Sequence, residues 1–173
     1  MSGFSDETNA IFEAAVQAIK DAGATVFDPV DIATIDEINS GTEEIVVLVY
    51  EFKDDLNAYL ATRSGVPVGS MADVIAFNVA HADTELKFFG QEWFELAQAR
   101  INPFTGNVIT AAEYQAALSH ERLIGGPQGI DAALASHNLD ALVSPTGSPA
   151  WTTHVVNGDH FLGASASPAA IAG

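Results

Sequence analysis

Apolar residues at Ile11, Phe12, Ala15, Val16 and Ile19 recur with helical spacing, so the chain is predicted to open on a helix that Ser5 or Asp6 can cap and Gly23 closes. Residues 24–27 (Ala-Thr-Val-Phe) then read as a short strand ended by Asp28-Pro29, the helix, glycine, strand order of an α/β layer. A long helix is predicted over 43–62, with acidic residues at its start and an apolar stripe of Val49, Phe52, Leu56, Tyr59 and Leu60. Gly65 to Gly69 break it. Ser70 can cap the next helix, which carries Met71, Val74, Ile75 and Phe77, and a shorter one follows Gly90 through Trp93, Phe94 and Leu96. Residues 102–107 form a turn cluster, and Thr110 opens a helix through Tyr114, Ala117 and Leu118 that Gly125-Gly126-Pro127 interrupt. Residues 130–137 add a helical turn or two before a second strand at 139–143.

That second strand runs into Ser144-Pro145-Thr146-Gly147-Ser148-Pro149-Ala150-Trp151, where two prolines fix backbone angles and withhold N–H donors, so a ladder must end there. The loop reads either as a pocket wall or as an ordinary strand-to-turn junction. From Trp151 on, charge is scarce and the last residues are mostly small, so the chain looks cut off within a packed element.

With 173 residues and 48% hydrophobic content the chain can bury a sizeable core. Six Lys and Arg against 23 Asp and Glu give a net charge of −17, which repels phosphate backbones and anionic membranes; neither nucleic acid nor membrane is an expected partner. Without cysteine there is no disulfide, thiol nucleophile or thiolate metal site. No basic segment precedes an apolar run at Met1 and no apolar run of about 18 residues occurs, so the expected location is soluble and cytoplasmic.

Few constellations carry chemistry by themselves. Gly163-Ala164-Ser165-Ala166-Ser167 lacks the last glycine of a nucleophile elbow, and no glycine-rich phosphate loop with lysine occurs. His154, Asp159 and His160 match no zinc spacing, and Asn157-Gly158 between them marks a turn. His81 lies near a helix end, where the dipole favours it, and the acidic residues 28–37 lack a calcium-loop pattern. No metal and no cofactor is expected. The three lysines, Lys20, Lys53 and Lys87, are expected in solvent.

Five segments in order do carry a resemblance: residues 50–60 (Tyr-Glu-Phe-Lys-Asp-Asp-Leu-Asn-Ala-Tyr-Leu), Phe89-Gly90-Gln91-Glu92, Gly129-Ile130-Asp131, residues 139–151, and Ser167-Pro168-Ala169-Ala170-Ile171-Ala172-Gly173. Together they resemble the amidase signature family, and within it the C-terminal portion of bacterial peptide amidases. The resemblance implies an α/β, partial amidase signature fold: a helix-rich piece with a mixed β-sheet layered by helices, residues 1–173 forming one partial domain truncated at both ends. It implies hydrolysis of carboxamide C–N bonds by a Ser-cis-Ser-Lys triad, in which lysine acts through a bridging serine on the nucleophilic one.

The family's lysine and serine-rich segment lie upstream of the matched region, so no catalytic residue is assigned and Ser144, Ser148, Ser165 and Ser167 are not substitutes. The positions implied to bind substrate are Phe89, Gln91, Pro145, Thr146 and Trp151; for Phe89 and Trp151 core packing is the alternative, and for Gln91 a place at a helix start. Implied partners are a small-molecule or peptide amide and the remainder of an amidase chain, and the isolated piece is expected to be inactive. Two other readings share the scaffold: the amidase-like subunit of a glutamine-dependent aminoacyl-tRNA amidotransferase, which the scarcity of Lys and Arg disfavours, and a non-catalytic interaction module.

Overall fold

The computed structural model describes residues 5–173, and these divide into two compact units: residues up to Gly41 with 121–173, and residues 42–120. The helices in chain order are α1 (Asp6–Asp21), α2 (Ile35–Ser40), α3 (Glu43–Ala61), α4 (Met71–Ala80), α5 (Ala82–Glu85), α6 (Glu92–Ala99), α7 (Ala111–Gly125), α8 (Asp131–Ser136) and α9 (Ser167–Ala172). A π-helical turn, Gly126–Ile130, joins α7 to α8.

Unit 42–120 is built on α3. Val46 and Val49 form a buried cluster with Ile109 and Ala117, and Ile45, Tyr50, Leu96 and Tyr114 pack against it. The predicted stripe is only partly the buried one: Leu60 is buried, but Tyr59 is exposed and lies under the Arg63 guanidinium, 4.3 Å from ring centre to Cζ. Phe52 meets Phe94 of α6 at 5.4 Å, while Tyr50 stacks on Tyr114 at 4.3 Å. The Tyr114 hydroxyl donates to Glu51.

Arg100, held in the left-handed region at φ 53°, ends α6 and returns to α3. Its guanidinium lies 4.2 Å from the Tyr50 ring centre, its Nε donates to the Tyr50 carbonyl at 3.2 Å, and Nη2 pairs with Asp54 at 2.5 Å. Lys53, expected in solvent, is half-buried and donates to the Gln98 carbonyl at 3.3 Å. The predicted turn after Asn102 forms as expected. Asn102 N–H donates to the Asn107 carbonyl, its side-chain oxygen accepts from Phe104 N–H, and an isolated antiparallel bridge joins Ile101 to Val108.

Helix starts follow the predicted caps. Ser5 rather than Asp6 caps α1, accepting from Thr8 N–H at 3.1 Å. At α4, Ser70 Oγ accepts from Asp73 N–H at 3.2 Å while the Asp73 carboxylate accepts from Ser70 Oγ at 2.9 Å and from Gly69 N–H at 3.0 Å. At α7 the same box recurs: Glu113 accepts from both Thr110 N–H and Thr110 Oγ1, and its N–H donates back to Thr110 Oγ1. These bonds favour the ionised carboxylates. The Ser70 hydroxyl, with the Gly69 N–H, holds the Asp73 carboxyl below its ordinary range, and the Thr110 backbone and hydroxyl do the same for Glu113.

Because both carboxyls titrate lower in the folded chain than in the unfolded one, the stabilisation they supply is fully present above the ordinary carboxylate range and is lost as pH falls through the folded values. Ser70→Ala removes the largest cause at Asp73. Its carboxyl is expected to titrate higher than in the parent chain in an NMR titration, with Glu113 unmoved; an Asp73 curve that does not shift would refute the capping account.

In the other unit, α9 lies against the π-helical turn and α2. Thr34 Oγ1 donates to the Ile124 carbonyl at 2.7 Å, an acceptor that the change of helical pitch leaves available. The approach of α9 is close because Gly125 has no side chain: a Cβ there would stand 2.7 Å from Ile171 Cγ1 and 3.0 Å from both Ala172 N and the Pro168 carbonyl oxygen. Gly125-Gly126-Pro127, read as an interruption, is therefore a local widening of a helix that continues into α8.

The two predicted strands and the mixed sheet do not form among the described residues. Residues 24–27 and 139–143 carry the apolar, β-branched composition of strands but find no ladder partner. Leu139 N–H instead closes the end of α8 by donating to the Leu134 carbonyl at 2.8 Å. A strand exists only through its neighbour's hydrogen bonds, so composition alone could not fix the outcome.

Candidate functional site

The five expected substrate-facing positions fall in different units: Phe89 and Gln91 in unit 42–120, and Pro145, Thr146 and Trp151 in the other. Each group has its own local construction.

Phe88 and Phe89 leave α5 as an exposed aromatic pair, Phe89 being 62% accessible, and Trp93 in the first turn of α6 is half exposed. Gln91 is the opposite, at 7% accessible. Its amide is engaged on both sides, Oε1 accepting from Asn78 Nδ2 at 3.1 Å and Nε2 donating to the Ile75 carbonyl at 3.4 Å. A buried amide with both ends bonded ties α4 to the start of α6, fixing the short connection that carries Phe89.

In the other unit, the proline-bounded loop pairs with residues 163–165. Gly147 bridges Ala164 in antiparallel fashion, Ser148 N–H donates to the Gly163 carbonyl at 3.1 Å, and Ser165 N–H donates to the Thr146 carbonyl at 3.0 Å. Pro145 and Pro149 cannot donate, so pairing is confined to the three residues between them. Gly163 supplies the turn into this pairing at φ 124°, a conformation that side chains rarely adopt.

Hydroxyls complete the join. Ser144 Oγ donates to Ser165 Oγ at 2.9 Å, and Ser165 Oγ donates to the Pro145 carbonyl. Both protons are thus directed to oxygens within this pairing. Ser148 Oγ is buried without a hydrogen-bond partner. Pro145 is buried against this pairing, whereas Thr146 is exposed at its edge.

Trp151 is 38% accessible and packs edge-on against Phe161, with ring centres 5.8 Å apart and planes at 67°. Phe161 carried no local signal in the sequence, since nine residues separate it from Trp151. The turn between them is organised by His154, whose Nδ1 accepts from Val156 N–H at 3.3 Å and Asn157 N–H at 3.0 Å, and by Gly158 N–H donating to the His154 carbonyl at 2.8 Å. His154 therefore serves the loop. Among the described residues no group of three His, Asp or Glu side chains is placed to hold a metal ion, and no helix is long and apolar enough to cross a membrane.

No family model matches the chain. A probable amidase of Arabidopsis thaliana is 35% identical over 132 residues, which cover 75% of this chain and 24% of the plant protein. Among solved structures, native peptide amidase from Stenotrophomonas maltophilia is 40% identical with a TM-score of 0.72, and the peptide amidase PAM in complex with the competitive inhibitor chymostatin is 41% identical with a TM-score of 0.73. PAM12A is 40% identical with a TM-score of 0.75. Each of these structural matches covers 94% of this chain and 31% of the solved one. The chain thus spans from 24% to 31% of the length of these relatives. Similar in sequence and in fold, over nearly all of its own length, to 31% of a peptide amidase, the chain resembles the amidase signature family.

Proposed function

We propose that this chain forms the substrate-cleft wall of an amidase that hydrolyses carboxamide C–N bonds, acting on small-molecule or peptide amides, with the Ser-cis-Ser-Lys triad supplied from outside these 173 residues. The observation that carries this reading is the 41% identity at a TM-score of 0.73 to the peptide amidase PAM over 94% of the chain.

In that chemistry a lysine takes a proton through the bridging serine, the nucleophilic serine attacks the amide carbon, and the developing oxyanion is held by N–H donors before ammonia or an amine leaves and water releases the acid. The groups described here do none of these steps. Their part is to shape what enters: Phe89 and Trp151 offer exposed aromatic faces, Thr146 a hydroxyl at the loop edge, and Pro145 a rigid backbone. Gln91 acts from beneath, holding the Phe89 connection in place.

The 173-residue chain by itself is expected to release no ammonia from C-terminally amidated peptides above the uncatalysed rate, because a site without nucleophile and base keeps at most binding and charge stabilisation. Ammonia release that scales with chain concentration, survives further purification and is lost in Ser144→Ala or Ser165→Ala would place a nucleophile within these residues and overturn the assignment.

A further inference from the structure

Of the eight asparagines in the chain, Asn157 alone is followed by glycine. That pair is chemically reactive by itself: the backbone nitrogen after an asparagine can attack the side-chain amide carbon, and glycine leaves that nitrogen unscreened. Here Asn157 and Gly158 are both exposed, and Gly158 stands at φ 75° with nothing within 4 Å of where a Cβ would be, so crowding does not protect the pair.

What protects it is a set of hydrogen bonds to one residue. Gly158 N–H, which carries the attacking nitrogen, donates to the His154 carbonyl at 2.8 Å. Asn157 N–H donates to His154 Nδ1 at 3.0 Å, Val156 N–H donates to the same nitrogen at 3.3 Å, and Asn157 Nδ2, the group that would leave, lies 3.5 Å from His154 Nε2. Attack requires Gly158 N–H to give up its carbonyl and the Asn157 side chain to turn towards it, so the turn must open first. Solvent-exposed hydrogen bonds contribute little each, and a turn held by a few of them opens readily.

We propose that Asn157 is a self-modification site whose rate is set by His154. When the turn opens, the Gly158 nitrogen bonds to Asn157 Cγ and gives its proton to solvent base; the Cγ–Nδ2 bond breaks, and Nδ2 takes a proton from solvent and leaves as ammonia. Water then opens the succinimide ring. Cleavage at Cγ gives aspartate, and cleavage at the Asn157 main-chain carbonyl gives isoaspartate, with the backbone routed through the former side chain. Either product adds one negative charge to residues 141–173, where Asp159 is the one Asp, Glu, Lys or Arg, and places it in the turn that joins Trp151 to Phe161. The ammonia amounts to one equivalent per chain and needs no added amide, which separates it from catalytic release.

The test incubates the intact chain in mildly alkaline buffer, folded and unfolded in guanidinium chloride, and maps amide-to-acid conversion at each asparagine by mass spectrometry. Unfolded, Asn157 is expected to convert ahead of every other asparagine; folded, it is expected to convert about fivefold more slowly or less, and still ahead of them. His154→Ala is expected to raise the folded rate about fivefold, with unchanged helical circular dichroism. His154→Asp supplies a carboxylate that accepts from N–H groups two and three residues on, and is expected to stay within about twofold of the parent chain.

A folded chain that converts Asn157 as fast as the unfolded one would mean that His154 withholds nothing, and so would a His154→Ala chain no faster than the parent. If His154→Asp is as fast as His154→Ala, the Nδ1 acceptor is not what holds the turn. No conversion at Asn157 above the other asparagines, folded and unfolded alike, would remove the site altogether. Each of these results overturns the proposal, and none bears on the amidase reading.

Discussion

Gly125→Val is expected to destabilise the chain by about 1–3 kcal/mol in denaturant unfolding, although valine and other side chains are more favourable than glycine within a helix. Two effects oppose one another. Gly125 has ordinary right-handed helical angles, φ −76° and ψ −47°, so replacing it relieves backbone entropy worth up to about 1 kcal/mol. Against this, the first added carbon already lies 2.7 Å from Ile171 Cγ1 and 3.0 Å from two backbone atoms of α9, and valine adds two more. The side chain of Ile171 can yield; the Ala172 nitrogen and the Pro168 carbonyl cannot without moving the helix. Sterics therefore win.

The same geometry predicts a non-additive response. In the Ile171→Ala background the nearest obstacle is gone, so Gly125→Val should cost less than in the parent chain, while the two backbone contacts keep part of the penalty. A Gly125→Val chain as stable as the parent, or equal costs in both backgrounds, would mean that α9 is not seated against Gly125 as described.

How much of this was legible in the sequence depends on whether the deciding interactions are local. Caps at Ser5, Ser70 and Thr110 were readable because donor and acceptor lie three residues apart, and the structure places a hydrogen bond at each. The turn at 102–107 was readable for the same reason. Long-range choices were not: Tyr59 shares the helical spacing of Leu60 yet lies in solvent, and Lys53 lies half-buried beneath the end of α6. Helix α2 was not anticipated, being only six residues long with no side-chain cap.

The strands at 24–27 and 139–143 failed for a different reason. Their composition is that of strands, but a ladder needs a second edge, and none stands beside them among the described residues. Of the positions expected to bind substrate, Phe89, Thr146 and Trp151 are exposed and Pro145 is buried, whereas Gln91 spends its amide inside the fold. The polar spacing of Phe89-Gly90-Gln91-Glu92 gives no hint of that, because Asn78 and Ile75 lie on α4, with α5 between. The Ser144–Ser165 contact joins residues 21 apart and had no local signature either.

The account is tested most directly by exchange. When the matched region of Stenotrophomonas maltophilia peptide amidase is replaced with these 173 residues, the proposed function has the chimera keep the donor's nucleophile and base and take its cleft wall from this chain. Misplacement of such a wall by about 1 Å costs on the order of 100-fold, whereas loss of a catalytic triad costs about 10⁶-fold. The chimera is therefore expected to hydrolyse peptide amides with a kcat/KM within about 100-fold of the donor enzyme, and Trp151→Ala in it should act mainly through KM. A folded, monodisperse chimera with no hydrolysis above the uncatalysed rate would contradict the assignment of this chain to an amidase cleft.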